Sequence, residues 1–528
     1  MGVHGSAPFA LALFLALGLA ACAGRAPVVP AGVPDGTLAS ASSGHGADLV
    51  IRDVTVISPE RSSPLPHVDV EIRDGRIARI GTGLAAALAE GAATGSSTMR
   101  IDGHGRYLVP GLIDSHVHVG HQGPLEDEAI ERQPELSTAW RAQVGRSHLA
   151  FGFTTLVDLD LASETRAWFD ATPIHPRLYG CGRAVRIAGG YGGAQQVTAD
   201  AGAARALNLV YEPGQHGLWP AGLDPGDFTP ERAVARAADT GAICVKTFVE
   251  PGFGGAAHWP VPRPETLNAL RDAARRRGLV FVVHANAVDA WRAAIDGGAE
   301  LIAHGLWHWP GDRMSTTPPP EAAAAIEAAA RAGIAVQPTL QAVYGDETIF
   351  DASLLDDPRL AESIPGLVLD HLHGAAAQAA RQTLAAEYRG AIERLLGPGI
   401  DPARVMATAP ERAARTLRIM TERKVRLLFG SDTPSNEGIG NPPGLNGRFE
   451  LQRWFEAGVP LPEILRAATL DNAAAFGLAR DLGTIEVGKR ADLLLLRADP
   501  LRSIDAWSTI ETVFLDGRPI PRESLRAR

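Results

Sequence analysis

Between residues 48 and 80 apolar and polar positions alternate, in ADLVIRDVTVIS and then VDVEIRDGRIARI, the two-residue period of strands with one buried face. Asp74-Gly75 supplies a hairpin turn within the second run. The last segment, ADLLLLRADPL followed by WSTIETVFLDGRPI, repeats this strand and Asp-Gly character, so the two chain ends are expected to build one small sheet domain that encloses the middle. The middle alternates short apolar runs with amphipathic helical stretches, the pattern of a parallel α/β architecture. The runs GLIDSHVH, TTLVDLD, PRLYGCG, AICVKTF, LVFVVHA, AELIAHG, IAVQPTL and VRLLFGSD number eight, as a closed (β/α)8 TIM barrel requires. The expectation is therefore α/β: a barrel over 113–476, carrying an Ala-rich helical insertion at about 340–422, beside a β-sandwich domain built from 47–112 and 477–528. An open doubly wound sheet is the weaker alternative.

The N-terminal residues hold an apolar run too short to span a bilayer comfortably, bounded by small residues, as in a signal-peptide core. Its end, Leu19-Ala20-Ala21-Cys22, resembles the lipobox of bacterial lipoproteins. The resemblance implies removal of 1–21, lipid on Cys22 and export to the outer membrane facing the periplasm, while the Ala-, Gly-, Pro- and Ser-rich composition of 22–46 reads as a flexible tether. The chain has 60 acidic against 50 basic residues, a net charge of -10, which excludes nucleic acid as the main partner. Only 3 cysteines occur, too few for a disulfide scaffold or a multi-cysteine zinc module. Cys181 and Cys244 fall in expected strands, and buried free thiols are the expectation for both.

In a barrel of this kind chemistry sits at the C-terminal strand ends. His116 and His118 close the first apolar run, and a spacing of two on a strand turns both imidazoles to one face. His284 ends the fifth run, His304 the sixth and Asp432 the eighth. Together they form an N/O donor set suited to Zn²⁺ or a similar ion. Lys246 ends the fourth run and admits two readings. One is a buried ammonium paired with Asp432 or Glu250; the other is a desolvated amine that captures CO₂ as a carbamate and bridges two metals. Tyr191, Trp307, His308 and Tyr344 follow strand ends and are candidate substrate contacts. His121, His148, His371 and His373 read as structural, the last two because a spacing of two on a helix points them apart.

The motifs YLVPGLIDSHVH, GFTTLVDL, VKTF, VVHANAVDAWRAAIDGGAELIAHG, FGSD, ATLDNAAAFGL and GTIEVGKRADLLLL, spread from residue 107 to 496, resemble the metal-dependent amidohydrolase superfamily in its imidazolonepropionase-like and prolidase-like branch. The resemblance implies one metal on His116, His118 and Asp432, a second on His284 and His304, and Lys246 as a bridging N6-carboxylysine. It implies two divalent ions, Zn²⁺ foremost, and hydrolysis of a carbon–nitrogen amide bond by a metal-bridging hydroxide with Asp432 as proton shuttle. A dipeptide, an N-acyl amino acid or a cyclic amide would serve as the small-molecule substrate, and homo-oligomerisation is left open. Deaminases of the superfamily place a glutamate near the fifth-strand histidine, where this chain reads His284-Ala285-Asn286-Ala287, so deamination is disfavoured. Prolidase-like relatives carry GGHG after the third strand, where this chain has Gly189-Gly190-Tyr191-Gly192-Gly193. The competing readings are a mononuclear imidazolonepropionase-like hydrolase in which Lys246 stays an ammonium, and a non-catalytic envelope binding protein.

Overall fold

The computed structural model describes residues 49–84, 99–192, 198–253, 258–434 and 438–527. The export segment, Cys22, the tether and Gly193 lie outside the described residues. In chain order the strands are β1 (Leu49–Val56), β2 (Leu65–Arg73), β3 (Arg76–Gly81), β4 (Met99–Asp102), β5 (Tyr107–Pro110), β6 (Leu112–Val117), β7 (Phe153–Asp158) and β8 (Arg177–Gly180). Then come β9 (Arg186–Ile187), β10 (Leu209–Val210), β11 (Cys244–Phe248), β12 (Val280–His284), β13 (Leu301–Ala303), β14 (Ala335–Gln337), β15 (Arg426–Leu427), β16 (Leu493–Leu496), β17 (Ile510–Leu515) and β18 (Arg518–Pro521).

The two chain ends share one eight-stranded sheet, in the order β18-β17-β16-β5-β1-β2-β3, with β4 also paired to β1. The seam between the ends is the antiparallel β16–β5 ladder, Leu493 opposite Pro110 through Leu496 opposite Tyr107. The hairpin expected at Asp74-Gly75 joins β2 to β3, with Arg73 opposite Arg76. Both turn residues take positive φ, 49° and 73°, the conformation for which an Asp-Gly pair is favoured.

All eight apolar runs of the middle become strands, as a parallel three-stranded sheet β6-β7-β8 and a parallel five-stranded sheet β11-β12-β13-β14-β15. Isolated parallel bridges Val117–Thr433 and Val185–Thr247 join β6 to the segment after β15 and β11 to the segment between β8 and β9. The strand residues divide by parity. Val245, Val283, Ile302 and Val336 share a core with helix residues such as Leu267, Trp291 and Ile326, whereas Cys244, Val282, Leu301, Ala303 and Ala335 form a separate cluster. This is strand alternation at work, one face against the helices and the other turned inward. Lys246 and His284 follow Cys244 and Val282 by two residues, and so belong to the inward face.

The helices that cover the strands are α1 (Glu135–Ala150), α2 (Pro230–Asp239), α3 (Pro264–Arg276), α4 (Val288–Asp296) and α5 (Pro320–Ala332). In α3 the buried positions Leu267, Leu270 and Ala274 recur every three or four residues, and Pro264 opens the first turn. Between β14 and β15 lie α6 (Leu340–Gly345), α7 (Gly366–His373), α8 (Ala375–Leu396), α9 (Pro402–Met406) and α10 (Thr408–Glu422), and α11 (Leu445–Glu456) follows β15.

One expectation is overturned. Cys181, directly after β8, and Cys244, the first residue of β11, are joined in a disulfide rather than left as free thiols. Strand pairing is the reason. The Ile243 N–H donates to Gly180 O at 3.0 Å, which brings two Cα atoms separated by 63 residues to 4.3 Å, within disulfide reach.

Candidate functional site

Six side chains from five strand ends meet at one end of the parallel sheets. Asp432 is their hub: His116 Nε2 and His118 Nε2 each lie 3.2 Å from its Oδ1, and His304 Nδ1 lies 3.8 Å from Oδ2. Lys246 Nζ stands 3.2 Å from His116 Nε2. The His284 ring lies 4.4 Å from that of His304, centroid to centroid. Among the described residues, His116, His304 and Asp432 converge most tightly, each offering a ligand atom within 4.8 Å of the others. A tetrahedral ion with bonds of about 2.0–2.1 Å holds its ligand atoms about 3.3 Å apart. The 3.2 Å separations at Asp432 thus fit a divalent ion, and the imidazole and carboxylate donors suit it chemically.

Electrostatics and backbone agree in singling out this place. Burial pushes the Asp432 carboxyl up, but the His116, His118 and His304 rings outweigh it and hold the group well below the usual carboxylate range. Burial, then the charge on Lys246, hold His116 far below its ordinary value. For His304 burial acts together with His284. Neutral imidazoles and an ionised carboxylate are the forms a metal takes as ligands. Lys246 is 2% exposed, and among the described residues no carboxylate comes within ion-pair distance of it. Burial lowers its ammonium, with Asp432 and Asp160 opposing only in part. His304 and Asp432 take φ of 88° and 56°, and Thr339, whose Oγ1 lies 2.9 Å from His304 Nδ1, takes 46°. Non-glycine residues in the left-handed region cost about 1–3 kcal/mol each and gather at functional sites.

Several groups reach this cluster that the sequence reading assigned otherwise or not at all; Glu250, offered there as a partner of Lys246, pairs with His284 instead. Glu250, two residues past β11 and 1% exposed, places Oε2 3.2 Å from His284 Nε2. A carboxylate therefore does stand beside the β12 histidine, contrary to expectation. Its origin on the neighbouring strand is what hid it, although its place just past a strand end was a usable signal. Glu250 Oε1 accepts the Gly252 and Phe253 N–H groups at 2.8 and 2.6 Å. Burial raises this carboxyl, yet His284 and those donors leave it below its ordinary value. Asp158 accepts from Val119 N at 2.8 Å and lies 3.9 Å from His118 Nδ1. Asp114 accepts from Ser431 Oγ at 2.5 Å and Ser431 N at 3.0 Å, tying β6 to the segment after β15.

A cavity of about 240 Å³ opens over the cluster and is lined by His118, Lys246, His284, His304 and Asp432. Of the expected substrate contacts, Tyr191, Trp307 and His308 lie on its wall. The Tyr191 ring is 5.0 Å from that of His284, and burial brings His308 down to about 4, a neutral imidazole. Tyr344 is not on this wall; the Arg453 guanidinium sits 4.1 Å over its ring. His121, read as structural, does line the cavity. His148 is wholly buried in α1, held down at about 3 by burial. His371 and His373 lie on α7, away from the cavity wall, with His371 Nε2 3.5 Å from Glu126 Oε2. Asn286 lines the cavity at 1% exposure, and its Oδ1 has no hydrogen-bond partner among the described residues.

The amidohydrolase family model matches residues 107–338 and 411–520, more than half of the chain. An imidazolonepropionase from Sphingopyxis alaskensis is 27% identical over 433 residues, covering 81% of this chain and 85% of that protein. An adenine deaminase from Paracoccus denitrificans is 40% identical over 73 residues, 14% of this chain, so the match spans only 11% of that relative's length. Among solved structures, a Xaa-Pro dipeptidase with methionine bound in its active site superposes with a TM-score of 0.62 at 19% identity, over 90% of this chain and 100% of that one. This likeness shows a shared fold.

Proposed function

The chain belongs to the amidohydrolase family, and from that premise we propose that it is a binuclear metal-dependent hydrolase of a carbon–nitrogen amide bond, its substrate a dipeptide, an N-acyl amino acid or a cyclic amide. The two parallel sheets, whose edge strands β6 and β11 bridge to the segments that follow β15 and β8, are read as one (β/α)8 barrel over 113–476. The sheet from the chain ends is read as folding into the smaller sandwich domain. The observation that carries the functional reading is Lys246: a buried lysine 3.2 Å from the His116 ring, with no carboxylate within ion-pair distance among the described residues. An unpaired buried ammonium is costly, and next to two dications it would be costlier still. A neutral amine at that position can form an N–C bond to CO₂ and release one N–H proton to solvent, and the resulting carbamate would supply the negative charge that two ions require.

His116, His118 and Asp432 would hold one ion, His284 and His304 the other, and carboxylated Lys246 would join them. Bound there, divalent ions would acidify a water and polarise the substrate carbonyl. The remaining work belongs to the chain. Asp432, kept ionised by the three imidazoles, takes up a proton on a carboxylate oxygen and delivers it to the leaving nitrogen. Thr339 holds the His304 ring and Glu250 the His284 ring, as partners of ligating imidazoles do. The cavity wall shields the reacting bond from bulk water.

Glu250 supports a second reading, deamination of a ring amidine, because a carboxylate beside the β12 histidine is what proton delivery to a ring nitrogen needs. Its two backbone donors and lowered proton affinity favour a holding role instead. An envelope location, with Cys22 lipidated, is proposed from the N-terminal segment; the Cys181–Cys244 disulfide supports it, since disulfides persist in oxidising compartments.

The test is metal content by elemental analysis, on protein purified without chelator and with bicarbonate present. Near two equivalents per chain, falling in Lys246→Ala, is the expected outcome, together with loss of amide hydrolysis and partial rescue by short carboxylates. About one equivalent, unchanged in Lys246→Ala, would favour the mononuclear enzyme. None after zinc loading would favour a binding protein.

A further inference from the structure

We infer that the amide cleaved here carries a bulky apolar group, aryl or branched alkyl, directly beside the scissile bond, and that the helices between β14 and β15 select for it. The inference rests on the amide-hydrolase reading above and narrows its substrate class. The cavity has two chemically distinct linings. Its floor is the histidine, lysine and aspartate cluster at the strand ends. Facing it are Val343 of α6, Leu395 and Leu396 of α8, Val405 and Met406 of α9, and Ala409 of α10. All six come from the single crossover between β14 and β15, far longer than a crossover needs to be to return to the sheet. Leu395, Leu396 and Val405 also pack together around buried Ala391 and Ile392, so the roof has a small core of its own.

The cations on the lining are mostly committed elsewhere. Arg412 donates to the carbonyls of Ser315, Trp307, Asp312 and Arg313 and stacks 4.2 Å over the Trp309 ring. Arg186 is held by Asp160, Gly192 O and Ala184 O. Exposed Arg313, with no ion-pair partner among the described residues, is left to meet an anionic substituent, while the crossover's side of the wall is mainly apolar, with Asp346, Tyr388 and Thr408 as its polar members. Size agrees: an apolar cavity of roughly 150 Å³ accepts benzene, and 240 Å³ accommodates a ring together with the amide.

Matched amide pairs test this: N-benzoyl against N-acetyl amino acids, which vary the acyl side, and anilides against N-methyl amides, which vary the amine side. The metal-loaded full-length protein is expected to prefer the phenyl member at least tenfold in kcat/KM in one series or the other, a discrimination typical of apolar pockets. In Val405→Thr, which keeps the side chain's shape and adds a hydroxyl at a half-buried position, and in Leu396→Gln, that ratio should fall at least tenfold, chiefly through KM. Hydrolysis of both members without preference, or a preference that neither variant moves, overturns the inference and leaves the amide-hydrolase reading standing. If the loaded protein hydrolyses none of the amides, that reading fails. Titration calorimetry with the same pairs then decides the inference separately: tighter binding of the phenyl member, weakened in Val405→Thr, supports it, and equal binding overturns it.

Discussion

In the proposed mechanism Asp432 would do two things with one carboxylate, bind an ion and carry a proton, and its two oxygens face different neighbours. Oδ1 faces both His116 and His118 at 3.2 Å, while Oδ2 faces His304 at 3.8 Å. Replacing it by asparagine keeps an oxygen for the ion and removes the proton acceptor. Asp432→Asn should therefore retain at least one metal equivalent while turnover falls by roughly 10² or more, measured by pairing elemental analysis with steady-state rates. Survival of turnover would transfer the proton role to another base, Glu250 being the carboxylate near enough. The cation at Lys246 and the carboxylate at Asp432 were both legible from strand-end position. Glu250 was legible only as a partner for Lys246 and Asp158 not at all, because the side chain each one faces on a neighbouring strand is decided by the tertiary fold.

At the scale of elements, two links hold the site's supports in place. The Cys181–Cys244 disulfide ties the end of β8 to the start of β11, the strand that carries Lys246. Closing a loop of 63 residues is worth about 4 kcal/mol by chain entropy. The double variant Cys181→Ala with Cys244→Ala should accordingly unfold at a clearly lower urea midpoint than the oxidised protein, and reductant should no longer affect it. The second link is Glu450 of α11, which accepts from Leu340 N, Gln341 N and Trp454 Nε1 at 2.9, 2.6 and 2.7 Å. It thereby fixes the start of α6, directly after Thr339. Burial raises its carboxyl to about 7 against those three donors. A raised carboxyl favours folding most below its unfolded value, so this contribution is full near pH 4, declines above about 4.5 and is lost beyond about 7. Its size is about 3 kcal/mol at most. Relative to Glu450→Gln, wild-type stability in urea should fall across that window; parallel pH profiles would show that the three donors compensate the charge.

For the whole molecule, the fold concentrates four imidazoles, a lysine and a carboxylate at one largely buried place, and a bound ion should stabilise the native state by mass action. Chelation is expected to lower Tm and zinc to restore it, by about 3 kcal/mol when free ion stands at a hundredfold its Kd; calorimetry with and without chelator measures this, and an unmoved Tm would argue against tight metal binding. The sequence by itself determined the α/β alternation, the eight strands, the pairing of the two chain ends and the six residues at the strand ends, because strand period, turn chemistry and position on a strand are local properties. The tertiary structure alone decided which of those residues touch, that Cys181 meets Cys244, that Glu250 backs His284, that Tyr344 turns to Arg453 rather than to the cavity, and that α6 and α8–α10 give the cavity its apolar roof. Each of these depends on a contact between residues distant in the chain, and local pattern carries no record of the partner.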